Sequence, residues 1–424
     1  MAEIKVGIMT EKHVELCFNG VYMNDGQPIE GLLSVSGINL KDDMLFKATS
    51  PDCSVTVKDV TIGVKFHWER KENQTFKGDI LLKPDHQGNI TVINILSIED
   101  YISSVISSEM SATSQLELLK AHAVISRSWA LAQILNHVED AAPGGYDADE
   151  LTDGGQGLTR VRWYGGNDHV DFDVCADDHC QRYQGITRQT TDTVKEAVEA
   201  TRGLVLMYGD ELCDARFYKC CGGALEVFES CWEDTPKPYL VGKPDILPEP
   251  QLPDLSIEEN AVEWILSSPK AFCNTQDKEV LSQVLNGYDQ ETADFYRWKV
   301  EYDAAELTEL VRVKSGLDFG MIQELVPLRR GTSGRITMLR VIGDRLTADI
   351  GKELEIRRIL SPSHLYSSAF VVEKTADGFT LHGAGWGHGV GLCQIGAAMM
   401  AAQGYGYKQI LSHYYPSAIL RQMP

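Results

Sequence analysis

Two groups of residues in the first half of this sequence have types and spacings suited to chemistry. The first is Tyr101, Glu109, Lys120 and Arg127. Glu109 follows Val105 and Ile106 and precedes Met110, where partial burial would raise its pKa toward that of a general acid. It is also one carboxylate among 61 acidic residues, and a helix cap or a solvated side chain explains such a residue without chemistry. The second group is His169, Cys175, His179 and Cys180, two imidazoles and two thiols within twelve residues, a donor set that satisfies tetrahedral zinc. The spacing is not that of a zinc finger. Adjacent ligands at 179 and 180 require an irregular loop, because neighbours on a strand point to opposite faces. A Cys175–Cys180 disulfide or unlinked thiols fit the same composition.

Two more groups lie further on. From Gly383 to Gln394 the chain reads Gly-Ala-Gly-Trp-Gly-His-Gly-Val-Gly-Leu-Cys-Gln, with glycine at alternate positions up to Gly391. Such a stretch lets other backbone or a sugar approach closely and holds Trp386 and His388 on a path free of bulky neighbours. It matches neither a dinucleotide fingerprint nor a Walker A loop, so a nucleotide is not expected. A structural turn with His388 as a satisfied core side chain competes with a binding role. In Tyr218-Lys219-Cys220-Cys221-Gly222-Gly223, Cys220 or Cys221 with His388 would make a nucleophile and base, against the plainer reading of a tight turn.

These residues need elements to position them. Alternating Ile4, Val6 and Ile8, then Val14–Phe18, Gly31–Val35 and Cys53–Val57, predict a strand-rich section over 1–90. A strand over Thr91–Leu96 leads to Ser97, an N-cap followed three residues later by Asp100, so a helix is predicted from about 99 to 107, stopping near Glu109. Ser114 is a cap for a longer helix reaching about 137. The Asp- and Gly-rich stretch 138–168 reads as a surface loop. A helix over 191–200 precedes an apolar arm, Gly203–Tyr208, whose hairpin partner is expected at Asp214–Tyr218. Prolines make 236–253 irregular, helical patterns fill much of 258–315, and strands return at Arg335–Val341 and Phe370–Val372 before a last helix near 393–403. The fold class expected is α+β with mixed sheets. Its segments are a strand-rich 1–90, a helical part over 91–239 with the Cys/His loop, an accessory insertion over 240–325, and 326–424 with the glycine motif.

Composition sets outer limits. With 43% hydrophobic and 24% charged residues, the 424-residue chain is expected to fold throughout. Its net charge of −22 disfavours nucleic acid as a partner. No run of 18 apolar residues exists, so no membrane span is expected, and Met1–Val6 lacks the features of a signal peptide. Ten cysteines are too sparse for a disulfide scaffold in a chain of this size, and their clustering suggests a metal or an active site.

The four groups, in this order, resemble the SpoIID/LytB family, that of stage II sporulation protein D and the amidase enhancer. Tyr101, Glu109-Met110 and Leu119-Lys120-Ala121-His122-Ala123-Val124-Ile125-Ser126-Arg127 look like its helical motif. Gly385–Gly391, Gln394, Gly396-Ala397 and Tyr414-Tyr415-Pro416 look like its C-terminal signature. The resemblance covers about 91–424, interrupted at 138–168 and 240–315. It departs from many relatives at Cys220-Cys221 and at Cys393, where small polar residues are commoner.

The resemblance implies a peptidoglycan lytic transglycosylase acting on peptide-free glycan strands, with Glu109 as the catalytic acid/base. It implies a structural zinc on His169, Cys175, His179 and Cys180, and substrate contacts are expected at Arg127, Lys219, Trp386, His388 and Gln394. A catalytically silent glycan-binding enhancer of a cell-wall amidase is the alternative it carries. The family points to the cell envelope, whereas the missing signal peptide leaves the cytoplasm open.

Overall fold

The computed structural model describes residues 2–63, 69–139, 148–153, 158–164, 169–177, 179–188, 191–285 and 294–423. They form an α+β fold with mixed sheets, divided into two compact units. One unit is Met1–Pro143, Gly166–Asp214 and Ile419–Pro424; the other is Gly144–Gly165 and Ala215–Ala418. This division differs from the four segments expected above. Among the described residues no helix is long and apolar enough to cross a membrane.

In the first unit the alternation of Ile4, Val6 and Ile8 produces β1 (Glu3–Glu11), with those three side chains buried and Glu3 and Lys5 exposed. The strands β2 (His13–Asn24), β3 (Gln27–Ser36), β4 (Met44–Ala48), β5 (Ser54–Ile62), β6 (Arg70–Lys77), β7 (Asp79–Pro84) and β8 (Ile90–Ser97) complete the strand-rich section. The nine-stranded sheet runs Val174–Cys175, β1, β8, β7, β4, β2, β5, β6, with β3 on β2. All neighbours are antiparallel except Val174–Cys175, which lies parallel to β1 through Gly7↔Cys175. A cysteine of the candidate metal set is thus anchored to the sheet edge.

The helix α1 (Ile98–Glu109) starts as its cap dictates: the Ser97 hydroxyl accepts the Asp100 amide at 3.2 Å, and Glu99 and Asp100 put negative charge on the first turn. Of residues 98–108 only Asp100 is not buried. The hydroxyls of Ser103, Ser107 and Ser108 return to carbonyls four residues back, so polar side chains fill this buried helix without leaving those hydroxyls unpaired. The helix α2 (Leu116–Glu139) begins slightly later than expected. It starts two residues after Ser114, whose hydroxyl donates to Ser111 O at 2.6 Å.

In the second unit a five-stranded sheet runs Ile322–Arg330, Ile336–Gly343, Thr347–Gly351, Leu158–Trp163, Ala148–Asp153. The last two strands correct the reading of 138–168 as a loop: Leu158–Val161 pair in parallel with Ala348–Gly351, a partner far away in sequence. Pro143–Gly145 and Gly154-Gly155 lie outside the described residues. The helix Ala304–Ser315 is held at both ends, by the Asp303 side chain on the Ala305 amide and by Gly316 at φ 74°. Val311, Ile336, Leu339, Ile350 and Phe370 belong to its core. Arg297–Asp303, from the expected insertion, pairs strand to strand with Gly378–Ala384.

The hairpin expected from Gly203–Tyr218 is also corrected. Leu204–Tyr208 pairs with Glu211–Leu212 on one side and Ile419–Gln422 on the other, while Phe217–Tyr218 pairs in parallel with Leu392–Cys393.

Candidate functional site

Glu109 is the last residue of α1, half-buried, with Met110 already extended. Its Oε1 accepts the Arg182 backbone amide at 2.8 Å. Two residues before that amide comes Cys180. The loop 169–184 therefore carries the metal-type residues and one of the groups that orient Glu109.

That loop is irregular, as adjacent ligands at 179 and 180 require. The Cys180 amide closes a turn on Asp177 O at 3.0 Å, and Tyr183 returns to Ala176 O at 3.0 Å. Cys180 Sγ lies 3.4 Å from His169 Nε2 and 3.5 Å from His179 Nδ1, and Cys175 Sγ lies 4.0 Å from His179 Nδ1. All four donor atoms are within 4.8 Å of one another. A tetrahedral zinc with its usual bond lengths has S–N edges of roughly 3.6 Å, so the set fits the ion. Hydrogen bonding by the Cys180 thiol, helped by His169 and His179, holds the Cys175 thiol well below its usual range despite burial. Such a sulfur is ready to act as a ligand.

Tyr101 stands between this loop and the helix. Burial, reinforced by the nearby Cys180, Cys175 and Glu109, raises its phenol well above the ordinary value, so it stays a neutral donor, and it donates a hydrogen bond to Gln181 Oε1 at 3.2 Å. A small cavity beside it is lined by Gly7, Gln74, Cys175, Arg182 and Tyr183. Among the described residues, both polar atoms of the Gln74 amide, and Gln181 Nε2, are buried without a hydrogen-bond partner. Neither glutamine was expected from sequence, where a glutamine in a strand or loop carries no signal.

Arg127 has a different setting from the one expected. It is 1% exposed and binds Glu99 through two hydrogen bonds of 2.9 and 2.7 Å, with further bonds to Ala123 O and Leu204 O. Its guanidinium is consumed in joining α2 to the start of α1. Lys120 pairs with Glu117 one turn away at 2.7 Å.

Lys219, Trp386, His388 and Gln394 belong to the second unit. Lys219 donates to Val284 O at 2.9 Å, and Gln394 is 2% exposed. Trp386 packs against Phe295 at 4.8 Å and Tyr366 at 4.5 Å between ring centres. His388 has both nitrogens engaged by main chain: Nε2 faces Phe217 O at 3.1 Å, and Nδ1 accepts the Val390 amide at 3.1 Å. Burial, with Arg216 nearby, pushes its pKa well below the usual value, so the ring is neutral. The ring nitrogens of His388, expected as a substrate contact, thus meet main chain, and the Cys221 thiol meets Asp245 and Cys273.

The alternating glycines have a packing cause. Gly385, Gly387, Gly389 and Gly391 all have φ between 76° and 96°. A Cβ on Gly391 would lie 2.1 Å from Arg216 O, and one on Gly389 would lie 2.5 Å from Cζ of the fully buried Arg335, which donates to Gly387 O. The motif threads other chain, as one of the sequence readings allowed. Gly389→Ala should lower stability by about 1–2 kcal/mol from the left-handed backbone alone, and more from the clash. A melting curve checks this; an unchanged midpoint would contradict it.

A family model described as Stage II sporulation protein matches residues 86–208, the span that holds α1, α2 and the Cys/His loop. The chain is similar there to stage II sporulation proteins. It is 24% identical over 347 residues to the stage II sporulation protein D of Bacillus subtilis, covering 81% of this chain and 80% of that one. It is 23% identical over 340 residues to the amidase enhancer of the same organism, covering 75% of this chain but only 40% of the relative. An uncharacterized protein of Brachyspira hyodysenteriae is 25% identical over 340 residues, 80% of this chain and 70% of that protein. A second family model, described as Domain of unknown function (DUF8618), matches 226–391. The sporulation-type match thus ends before the glycine motif and contains Glu109, Arg127 and the whole metal-type quartet.

Proposed function

We propose that this protein acts on the bacterial cell wall, as a peptidoglycan lytic transglycosylase with Glu109 as its single acid/base. The observation that carries the reading is the presentation of Glu109: a half-buried carboxylate at a helix end, with one oxygen fixed by the Arg182 amide. An acid that must protonate and later deprotonate needs a fixed orientation. Glu109 gives its proton to the glycosidic oxygen beyond N-acetylmuramic acid. As a carboxylate it then takes the proton of that sugar's C6 hydroxyl as this oxygen attacks C1, leaving a 1,6-anhydro end. No water enters, so the second carboxylate of a hydrolase has no task. The Gln74 amide and the Gln181 Nε2 donor, without partners among the described residues, suit sugar hydroxyl and N-acetyl groups. The working compartment on this reading is the cell envelope.

Zinc on His169, Cys175, His179 and Cys180 would be structural, since four protein ligands leave no open position. Its part is to hold the loop whose Arg182 amide orients Glu109. Chelation should therefore raise amide hydrogen exchange at 175–183 and lower turnover together, with zinc restoring both. Unchanged exchange after metal removal would contradict this.

The amidase enhancer among the relatives favours a second reading, a catalytically silent glycan binder that stimulates an amidase. Incubating the purified chain alone with peptide-free glycan strands separates the two. Release of soluble fragments supports the enzyme. Binding without release, together with a faster partner amidase, supports the enhancer.

A further inference from the structure

Cys221, Asp245, Cys273 and Cys393 come from four distant parts of the second unit and meet in its interior. Their exposures are 2%, 0%, 1% and 0%, and their four donor atoms all lie within 4.8 Å of one another. We propose that these residues form a second, fully enclosed zinc site, of three thiolates and one carboxylate, independent of the Cys/His loop and of the transglycosylase reading.

The distances favour one ion. Cys221 Sγ is 3.2 Å from Cys273 Sγ and 3.1 Å from Asp245 Oδ2. A tetrahedron of Zn–S bonds of about 2.3 Å has edges of roughly 3.8 Å, so an ion at the centre needs only small adjustments of the side chains. An iron–sulfur core would hold its cysteines farther apart. A carboxylate donor beside thiolates suits zinc better than the softer Cu(I).

The surroundings are those of ligands, not of four inert buried groups. Three backbone amides donate to the sulfurs: Gly223 to Cys221 at 3.3 Å, Cys221 to Cys393 at 3.3 Å and Gly396 to Cys393 at 3.4 Å. The last places Cys393 as N-cap of the helix Gln394–Ala402, where the helix dipole favours a thiolate. The carboxylate is oriented from behind: Asp245 Oδ1 accepts Tyr414 OH at 2.9 Å and lies 3.3 Å from His413 Nε2. This is the outer support that fixes a metal-binding carboxylate. The buried Cys220 thiol packs on Cys273 and Cys393 from outside the set.

The site also accounts for residues left unused by the chemistry above. Cys221 and Cys393 are positions where the resemblance breaks down, and Asp245 and Cys273 belong to the stretch expected to be an insertion. One ion would tie that stretch to the strand Phe217–Tyr218 and the helix Gln394–Ala402. Binding releases the thiol protons as the ion enters.

The test removes the other site first. A Cys175→Ser/Cys180→Ser chain, kept reduced, is reconstituted with Zn2+, desalted and measured by native mass spectrometry and elemental analysis. One zinc per chain is expected to remain, and adding Asp245→Asn or Cys273→Ser should reduce it at least tenfold, whereas adding Cys220→Ala should not. Because the added variants could unfold, the Cys175→Ser/Cys180→Ser chain is also loaded with Co2+, where thiolate-to-cobalt charge-transfer absorption is expected. A reconstituted chain without zinc and without that absorption overturns the proposal, as does a Cys221–Cys273 disulfide in protein purified under reducing conditions.

Discussion

Glu109→Gln is expected to lower fragment release from peptide-free glycan by about 100- to 10,000-fold, the range that a positioned acid/base contributes. Glutamine keeps the shape of the side chain, and its amide oxygen can still accept the Arg182 amide that now binds Oε1 at 2.8 Å. The melting temperature should stay within a degree or so of the parent, so lost turnover would report chemistry and not unfolding. Glycan binding should persist, because the substitution removes a proton carrier and little volume. Turnover within a few-fold of the parent would remove Glu109 from the reaction and return the enhancer reading to first place.

Arg127→Ala is expected to act through stability. The Arg127–Glu99 pair is buried, with side-chain exposures of 1% and 8%, and Glu99 also accepts the Gly203 amide at 3.2 Å. Removing one partner leaves the other charge buried, at a cost of about 3–5 kcal/mol. Replacing both, as Glu99→Leu with Arg127→Met, should recover much of that loss, since it removes the uncompensated charge. Denaturant titration of the single and double variants checks the coupling. A stable Arg127→Ala protein with a raised KM would put the guanidinium back at the sugar.

The framework was legible where local signals agree. Ser97 with Asp100, followed by a buried helical pattern, marked α1 to within two residues, and the alternation Ile4, Val6, Ile8 marked β1. Pairings set by distant chain were not. Leu158–Trp163 takes its place from Thr347–Gly351, and Phe217–Tyr218 from Leu392–Cys393; no local pattern announces either.

The candidate site divides in the same way. Residue type and spacing marked the His169, Cys175, His179, Cys180 quartet, whereas only the family resemblance set Glu109 apart from the other acidic residues. The Arg182 contribution is a main-chain amide, which every residue but proline carries, and so has no sequence signature. Arg127 and His388 were read as substrate contacts because a motif residue with a polar head suggests binding. Only the three-dimensional contacts show that Glu99 takes the guanidinium and that two backbone groups take the imidazole. Cys273 and Asp245 stand alone in sequence and become a set only when folding brings Cys221 and Cys393 to them.

The central claim is one carboxylate closing a sugar on itself without water. Mass analysis of the ends released from peptide-free glycan strands in 18O-labelled water tests it most directly. The account predicts 1,6-anhydro-muramic ends with no label taken up; reducing ends that carry 18O would contradict it, and so would the absence of any new ends.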